Sequence, residues 1–454
     1  MSWLRLLVGI TALAPAWAVD FSPAPGAAAD FDPGQGVAEN GRIPKVPLPI
    51  VTEHPERYRY IPEGRLLPGG PLDRLFVSFF PTPIFYFREA VGAGGGVGLV
   101  DIDFRGQRRQ EFLGLFVAAS TQGQETYRAV WQRWLDHHEV PGGGVVQSDR
   151  SFLRISSGYT RTRTRRFFGL GSSTQARDET NYTDEAVEAV ADLEHVLPMP
   201  WGDVVVLGSL RGVRRNLASG RLPDTPSTEW VHPELVAQAD GRASGWVGGG
   251  LRYDTRDSTE NPYHGVSLEA RADAAPVQSL GAGSGGIGTL KATWAITVPG
   301  LAHDGGAADR LASGSDEENP PTDAVVVGAR MRSTWGDVAF TDLPNLGGAD
   351  TLRGYLGDRW TDRAAWNAGV EWRIWLVPRG LTFTRSIRIE RLGIAPFADL
   401  GAVAGRVQQF DRSPPKWALG TGLRVGFERN AIFRIDLARS PEQFAVNIDF
   451  GMPF

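Results

Sequence analysis

The chain closes on "QFAVNIDFGMPF" (443–454), a strict two-residue alternation. In an extended strand Phe444, Val446, Ile448, Phe450, Met452 and Phe454 share one face, and Ala445, Asn447, Asp449, Gly451 and Pro453 share the other. Such a strand needs an apolar medium on one side and a polar one on the other. The pattern recurs. "GTGLRVGFE" (420–428) sets Leu423, Val425 and Phe427 against Arg424, Gly426 and Glu428. "IFRIDLA" (432–438) sets Phe433, Ile435 and Leu437 against Arg434 and Asp436, and "VEWRIWL" (370–376) sets Val370, Trp372, Ile374 and Leu376 against Glu371, Arg373 and Trp375.

A soluble sandwich also alternates, but its polar face is solvated surface rich in Lys, Thr and Ser. Here the polar face is built from Arg, Asp, Glu and Gly, the composition of ion pairs packed inside a lumen. Segments of roughly ten residues alternating in this way, separated by turn residues, are the mark of a membrane barrel. They begin near residues 94, 109, 124, 150, 182, 203, 244, 265, 287, 324, 365, 387, 417, 431 and 443. A closed single-chain barrel needs an even number, so one more strand is expected within "STEWVHPELVAQA" (227–239), despite Pro233. The expected fold is an all-β transmembrane antiparallel β-barrel of 16 strands, a width that leaves the interior unfilled by the strands alone.

Composition narrows the compartment. The 454 residues carry 47 basic and 52 acidic side chains, for a net charge of −5, which excludes a globally basic nucleic-acid binder. There is no cysteine, hence no disulfide, thiolate metal site or Cys nucleophile. Arg5, the apolar run Leu6–Pro15 and the small-x-small triplet Ala16-Trp17-Ala18 read as a secretory signal peptide over residues 1–18. Residues 19–75 are dense in proline, which removes ladder donors and breaks helices, so an extended periplasmic tether is expected there. Residues 76–454 are the barrel.

The longest informative loop is 337–364, with Leu352-Arg353-Gly354-Tyr355 at its centre. A loop long enough to fold back into a wide barrel needs an anchor, and an Arg fork meeting a wall carboxylate is a strong, geometrically specific one. Gly354 lets the backbone approach the wall and Tyr355 packs against it. Farther on, "APFADLGAV" puts Phe397, Asp399 and Gly401 on one strand face. Glu371 and Arg373, on the strand leaving the loop, are natural supports.

These residues resemble the bacterial surface antigen family, the BamA–TamA outer-membrane assembly barrels, in a stand-alone form without POTRA domains. The (I/V/L)-R-G-(F/Y) loop motif matches 352–355, and the F-x-D-x-G strand matches 397–401. "GLRYDTRDSTENPYHG" (250–265), "RRFFGLGSST" (165–174), "GVEWRIWL" and the terminal Phe are similar too. The resemblance implies that Arg353 pairs with Asp399 in the lumen. It also implies a lateral seam through which proteins are inserted or translocated at the outer membrane. The strand near 94–104, with Gly94, Gly95 and Gly96, is expected to form that seam with the last strand, which carries Phe450 and Phe454. The alternative is a passive channel or plugged structural barrel, since residues 19–75 are too short and too Pro-rich for a POTRA domain.

The expected surroundings are the lipid bilayer of the bacterial outer membrane, with unfolded outer-membrane clients or a separate periplasmic protein as partners. No enzyme activity, cofactor, metal or nucleic acid is expected. The G-x-G-x-x-G match at 283–288 lacks a following helix and reads as a flexible loop, and His137-His138 reads as part of an extracellular loop.

Overall fold

The computed structural model describes residues 20–23, 49–51, 58–61, 63–66, 79–88, 91–199, 201–303, 322–377, 381–382, 388–389, 391–428 and 431–453. Among these, sixteen antiparallel strands close into one barrel. The first eight are β1 (Phe79–Arg88), β2 (Gly92–Asp101), β3 (Glu111–Ser120), β4 (Gln124–Trp134), β5 (Phe152–Phe167), β6 (Thr180–Met199), β7 (Gly202–Ser219) and β8 (Ala243–Asp254). The others are β9 (Gly265–Gln278), β10 (Gly285–Val298), β11 (Asp323–Gly336), β12 (Ala364–Val377), β13 (Arg391–Ala404), β14 (Lys416–Glu428), β15 (Ala431–Arg439) and β16 (Phe444–Phe450). Each strand pairs with its chain neighbours, and β16 closes onto β1. We call the rim where β1 begins and β16 ends the terminal rim, and its opposite the loop rim.

The barrel is apolar outside and charged inside. Leu210, Val247, Leu251, Leu268, Leu290, Trp294 and Leu419 are all exposed on the outer wall, whereas Glu371, Arg373, Arg424 and Asp436 are fully buried within. Water on the outside would penalise that inversion; hydrocarbon favours it. Outward aromatic side chains cluster near both ends of the strands. Trp335 and Trp417 stand near the loop rim, and Trp201 and Trp294 near the terminal rim, as in the interfacial girdles of membrane barrels. No described helix is long and apolar enough to cross a membrane.

The sixteenth strand is not where the alternation placed it. Residues 227–239 form two short helices, Thr228–Val231 and Pro233–Ala239, with Pro233 in the first turn, where its missing N–H costs nothing. The additional strand is β1. Its "FFPTPIFYFR" is apolar on both faces and holds Pro81 and Pro83, so periodicity is silent there. Moving the strand from the middle of the chain to its front inverts the sidedness of every connection before residue 228 and leaves the later ones unchanged. His137-His138 therefore lies at the terminal rim, not the loop rim. His137–Glu139 forms a three-stranded sheet with Val145–Ser148 and Tyr58–Ile61.

Part of the Pro-rich stretch is thus folded rather than extended. Tyr58–Ile61 pairs with Val145–Ser148, and Ile61 and Leu66 bury against Val145. The Glu63 carboxylate takes hydrogen bonds from Arg108 (2.7 Å) and the Gly144 N–H (2.6 Å), which hold it below the usual carboxylate range. The expected signal peptide, 1–18, lies outside the described residues. The G-x-G-x-x-G run is mostly strand rather than loop, because β10 starts at Gly285.

The closing strand also departs from the simple alternation. Phe444 is exposed on the outer face, and Ala445 and Asn447 are buried within. At Gly451 the chain adopts φ +83°, available to glycine at little cost, and turns inward. Met452 then packs on the lumenal cluster of Tyr263, Ala295, Ala324, Val326, Trp375 and Ile432 instead of extending the outer row. Phe454 lies outside the described residues.

Candidate functional site

The loop between β11 and β12 folds into the lumen and lies across the inner face of β12–β16. Leu352 is its apolar anchor, fully buried with Leu346, Tyr355, Trp360, Ala365, Val403 and Ala418. Tyr355 meets Trp360 edge-on at 4.8 Å between centroids. That cluster fixes the loop backbone at the wall, and Arg353 projects from it into a network of charges.

Arg353 is 1% exposed. Its Nε and Nη2 donate to the two carboxylate oxygens of Asp399, both at 2.8 Å, a bidentate fork. Nη1 donates to Glu371 Oε2 at 2.9 Å. Its guanidinium carbon sits 3.3 Å from the Phe397 ring centroid, so the F-x-D-x-G strand supplies both a carboxylate and a π face. Burial opposes the charge on Arg353, but Asp399, with Glu371 and Asp436 behind it, outweighs that and holds the guanidinium above its ordinary range.

The network continues beyond the expected residues. Arg424 of β14 donates to Glu371 at 2.7 and 3.1 Å and to Asp436 at 2.7 Å. Arg434 of β15 bridges Asp436 (3.3 Å) to Asp350 in the loop (2.7 Å). Arg373 holds Glu371 at 3.2 Å and reaches Asn261 Oδ1 (3.3 Å) in the turn between β8 and β9. The ladder of charges thus runs from the loop tip to the terminal rim. Arg424, Arg434 and Asp436 were visible as polar-face residues; which carboxylate each one meets depends on strand stagger.

The glycines have steric roles. A Cβ on Gly354 would stand 2.8 Å from Ala418 Cβ and 3.0 Å from Ser440 Cβ, and one on Gly401 would stand 2.7 Å from the Trp366 carbonyl and 3.1 Å from Leu346. Gly354→Ala is therefore expected to lift the loop tip, at about 1–3 kcal/mol. The check is an earlier loss of the heat-modifiable gel shift of the folded barrel.

A second clamp carried no motif. Arg359 donates to both oxygens of Glu442, in the β15–β16 turn, at 2.8 and 2.9 Å, and to the Thr174 carbonyl at 3.0 Å. Its guanidinium lies over Phe168 (4.8 Å) and Trp360 (4.5 Å). The "RRFFGLGSST" segment and the long loop are tied together here, across the loop rim.

The seam differs from the expected one. Gly94, Gly95 and Gly96 lie on β2, paired on one side with β1 and on the other with β3. Their strand is not an edge, because β1 precedes it. Gly94 makes room for the Tyr86 ring, whose hydroxyl reaches across to Gln124 Oε1 at 3.1 Å. The true junction is β1 with β16, and its described register is the single pair Ile448–Phe87, supported by Arg88 Nε to Asp449 Oδ2 at 3.1 Å. Phe450, the last residue of β16, registers with Phe433 of β15. On its inner face β16 is tied to the loop by Asn447 Nδ2, which donates to the Arg353 carbonyl at 3.2 Å.

No protein-family model matches the chain, and no curated relative matches it by sequence. Solved structures do. BamA from Haemophilus ducreyi lacking POTRA domains 1–3 superposes with a TM-score of 0.50 at 13% identity, covering 82% of this chain and 70% of that one. CdiB from Escherichia coli gives a TM-score of 0.55 at 10% identity, covering 85% of this chain and 63% of that one. At such identities the likeness is one of fold: this chain is a 16-stranded barrel of the architecture seen in BamA and CdiB.

Proposed function

We propose that this barrel sits in the bacterial outer membrane and aids insertion or translocation of proteins there through a lateral opening between β1 and β16. The observation that carries the reading is the asymmetry of that junction. On one side β16 is pinned through Asn447 to Arg353 and hence to the buried charge network. On the other, β1 pairs with β16 at one described register position only. Pro81 and Pro83 remove two backbone donors from β1, as an edge strand tolerates. Opening would swing β1 and β2 away while the loop holds β12–β16 in place, exposing the unpaired backbone of β16 to a client strand. Resemblance in fold to BamA and CdiB supports an assembly or secretion role over an unrelated one.

The test is an engineered clasp. Directly registered residues of an antiparallel pair lie about 4.5–5.5 Å apart at Cα, within disulfide reach. The chain has no cysteine, so Phe87→Cys with Ile448→Cys forms the only pair. Reduced protein in thick-bilayer liposomes should speed the folding of a urea-unfolded client barrel relative to liposomes holding an unrelated 16-stranded porin. Oxidation should abolish the gain and reductant restore it. Equal rates with and without the clasp would reject the seam. No acceleration in either state would favour the passive-channel reading.

A further inference from the structure

Most arginines inside the barrel have a carboxylate, but the side chains of Lys291 of β10 and Arg330 and Arg332 of β11 make no hydrogen bond or ion pair among the described residues. All three face the lumen, since their strand neighbours Leu290, Trp294, Val327 and Trp335 are exposed on the outer wall. Lys291 registers directly opposite Arg330, and Arg332 follows two residues on, opposite Thr289. Like charges directly opposite on adjacent strands repel, and their Cβ atoms stand only about 4.5–5.5 Å apart.

Apart from the exposed Glu260 in the β8–β9 turn, the carboxylates near the triad are engaged elsewhere. Glu269 registers beside Lys291, but its ion pair is with Arg252, at 3.5 Å. On the far side Arg330 faces Asn367 and Arg332 faces Ala365, neither of which carries charge. Asp273 is held by Arg271 at 2.8 Å, Asp342 lies 3.5 Å from Arg215, and Asp350 is committed to Arg434 at 2.7 Å. Lys291 is open to lumenal water and the two arginines are half-buried. Three cations set side by side on two adjacent strands, with no carboxylate in ion-pair contact among the described residues, have a use for an anion.

We propose that Lys291, Arg330 and Arg332 form a lumenal anion site that takes a multivalent phosphate-type anion, the planar Arg forks and the Lys point charge gripping its oxygens. This stands independently of whether the seam opens. Pyrophosphate is the probe. It should raise the unfolding temperature of the detergent-solubilised wild-type barrel saturably, above sodium chloride matched for ionic strength, because a ligand bound only to the folded state stabilises it by mass action. The Lys291→Gln/Arg330→Gln/Arg332→Gln variant should lose that shift and, relieved of repulsion, unfold no earlier than wild type without ligand. A second readout is reversal potential in a potassium chloride gradient across a planar bilayer: anion preference in wild type, lost in the variant. An equal pyrophosphate shift in both proteins, or none in wild type, would overturn the site.

Discussion

Arg353→Ala is expected to convert the barrel from its compact, fast-migrating form to the unfolded one at a clearly lower temperature than wild type. Removing one partner of a buried ion pair costs about 3–5 kcal/mol, chiefly because the other charge is left uncompensated. Here Asp399 would lose two 2.8 Å hydrogen bonds and Glu371 a third at 2.9 Å. The Phe397 ring would lose the cation above it. The carbonyl of residue 353 would no longer be held for Asn447, so the pin on β16 loosens with the loop. Gel mobility after graded heating measures the first effect, and planar-bilayer conductance, expected to rise as the loop leaves the lumen, measures the second. A mutant matching wild type in both would mean the loop is held by its apolar cluster around Leu352 alone.

Glu371→Gln should cost at least as much. This one carboxylate, 0% exposed, receives Arg353, Arg373 and Arg424. Its amide replacement keeps the shape and removes the charge. Arg373 would be left with neutral acceptors only, the new amide oxygen beside the Asn261 side chain and the Pro262 carbonyl, the last two at 3.3 and 3.5 Å. The expected loss is again about 3–5 kcal/mol, read as a lower urea midpoint by tryptophan fluorescence. Adding Arg373→Leu should recover part of it, since replacing both members of a buried pair by groups of similar size is often near neutral. If the double variant were worse than the single, Arg373 would matter through its tie to the β8–β9 turn rather than through Glu371.

Much of the site was legible because its residues sit on strands of clear alternation or in a motif. Arg353 and Asp399 announce themselves by residue type and by face, and so do Glu371 and Arg373. The Arg359–Glu442 clamp could not be read in this way. Both residues lie in connections, 83 positions apart, where no period exists. The seam was misplaced for a related reason. β1 packs Ile84 and Tyr86 inward against a glycine-lined wall and Phe85 outward, so both faces are apolar, and its prolines read as tether.

What the sequence determines by itself is the side of the wall on which each residue of an alternating strand must lie. A period of two leaves no choice once one medium is hydrocarbon and the other a polar lumen. That suffices for the fold class, the parity of the strands and the charged interior. Tertiary structure alone decides which strand closes the barrel, how far β1 and β16 overlap, and which carboxylate each lumenal arginine meets. Those depend on stagger around the whole circumference, a sum over sixteen registers that no single segment contains. The inward turn at Gly451 belongs to the same class, because Met452 finds its partners on strands brought beside it only when the barrel closes.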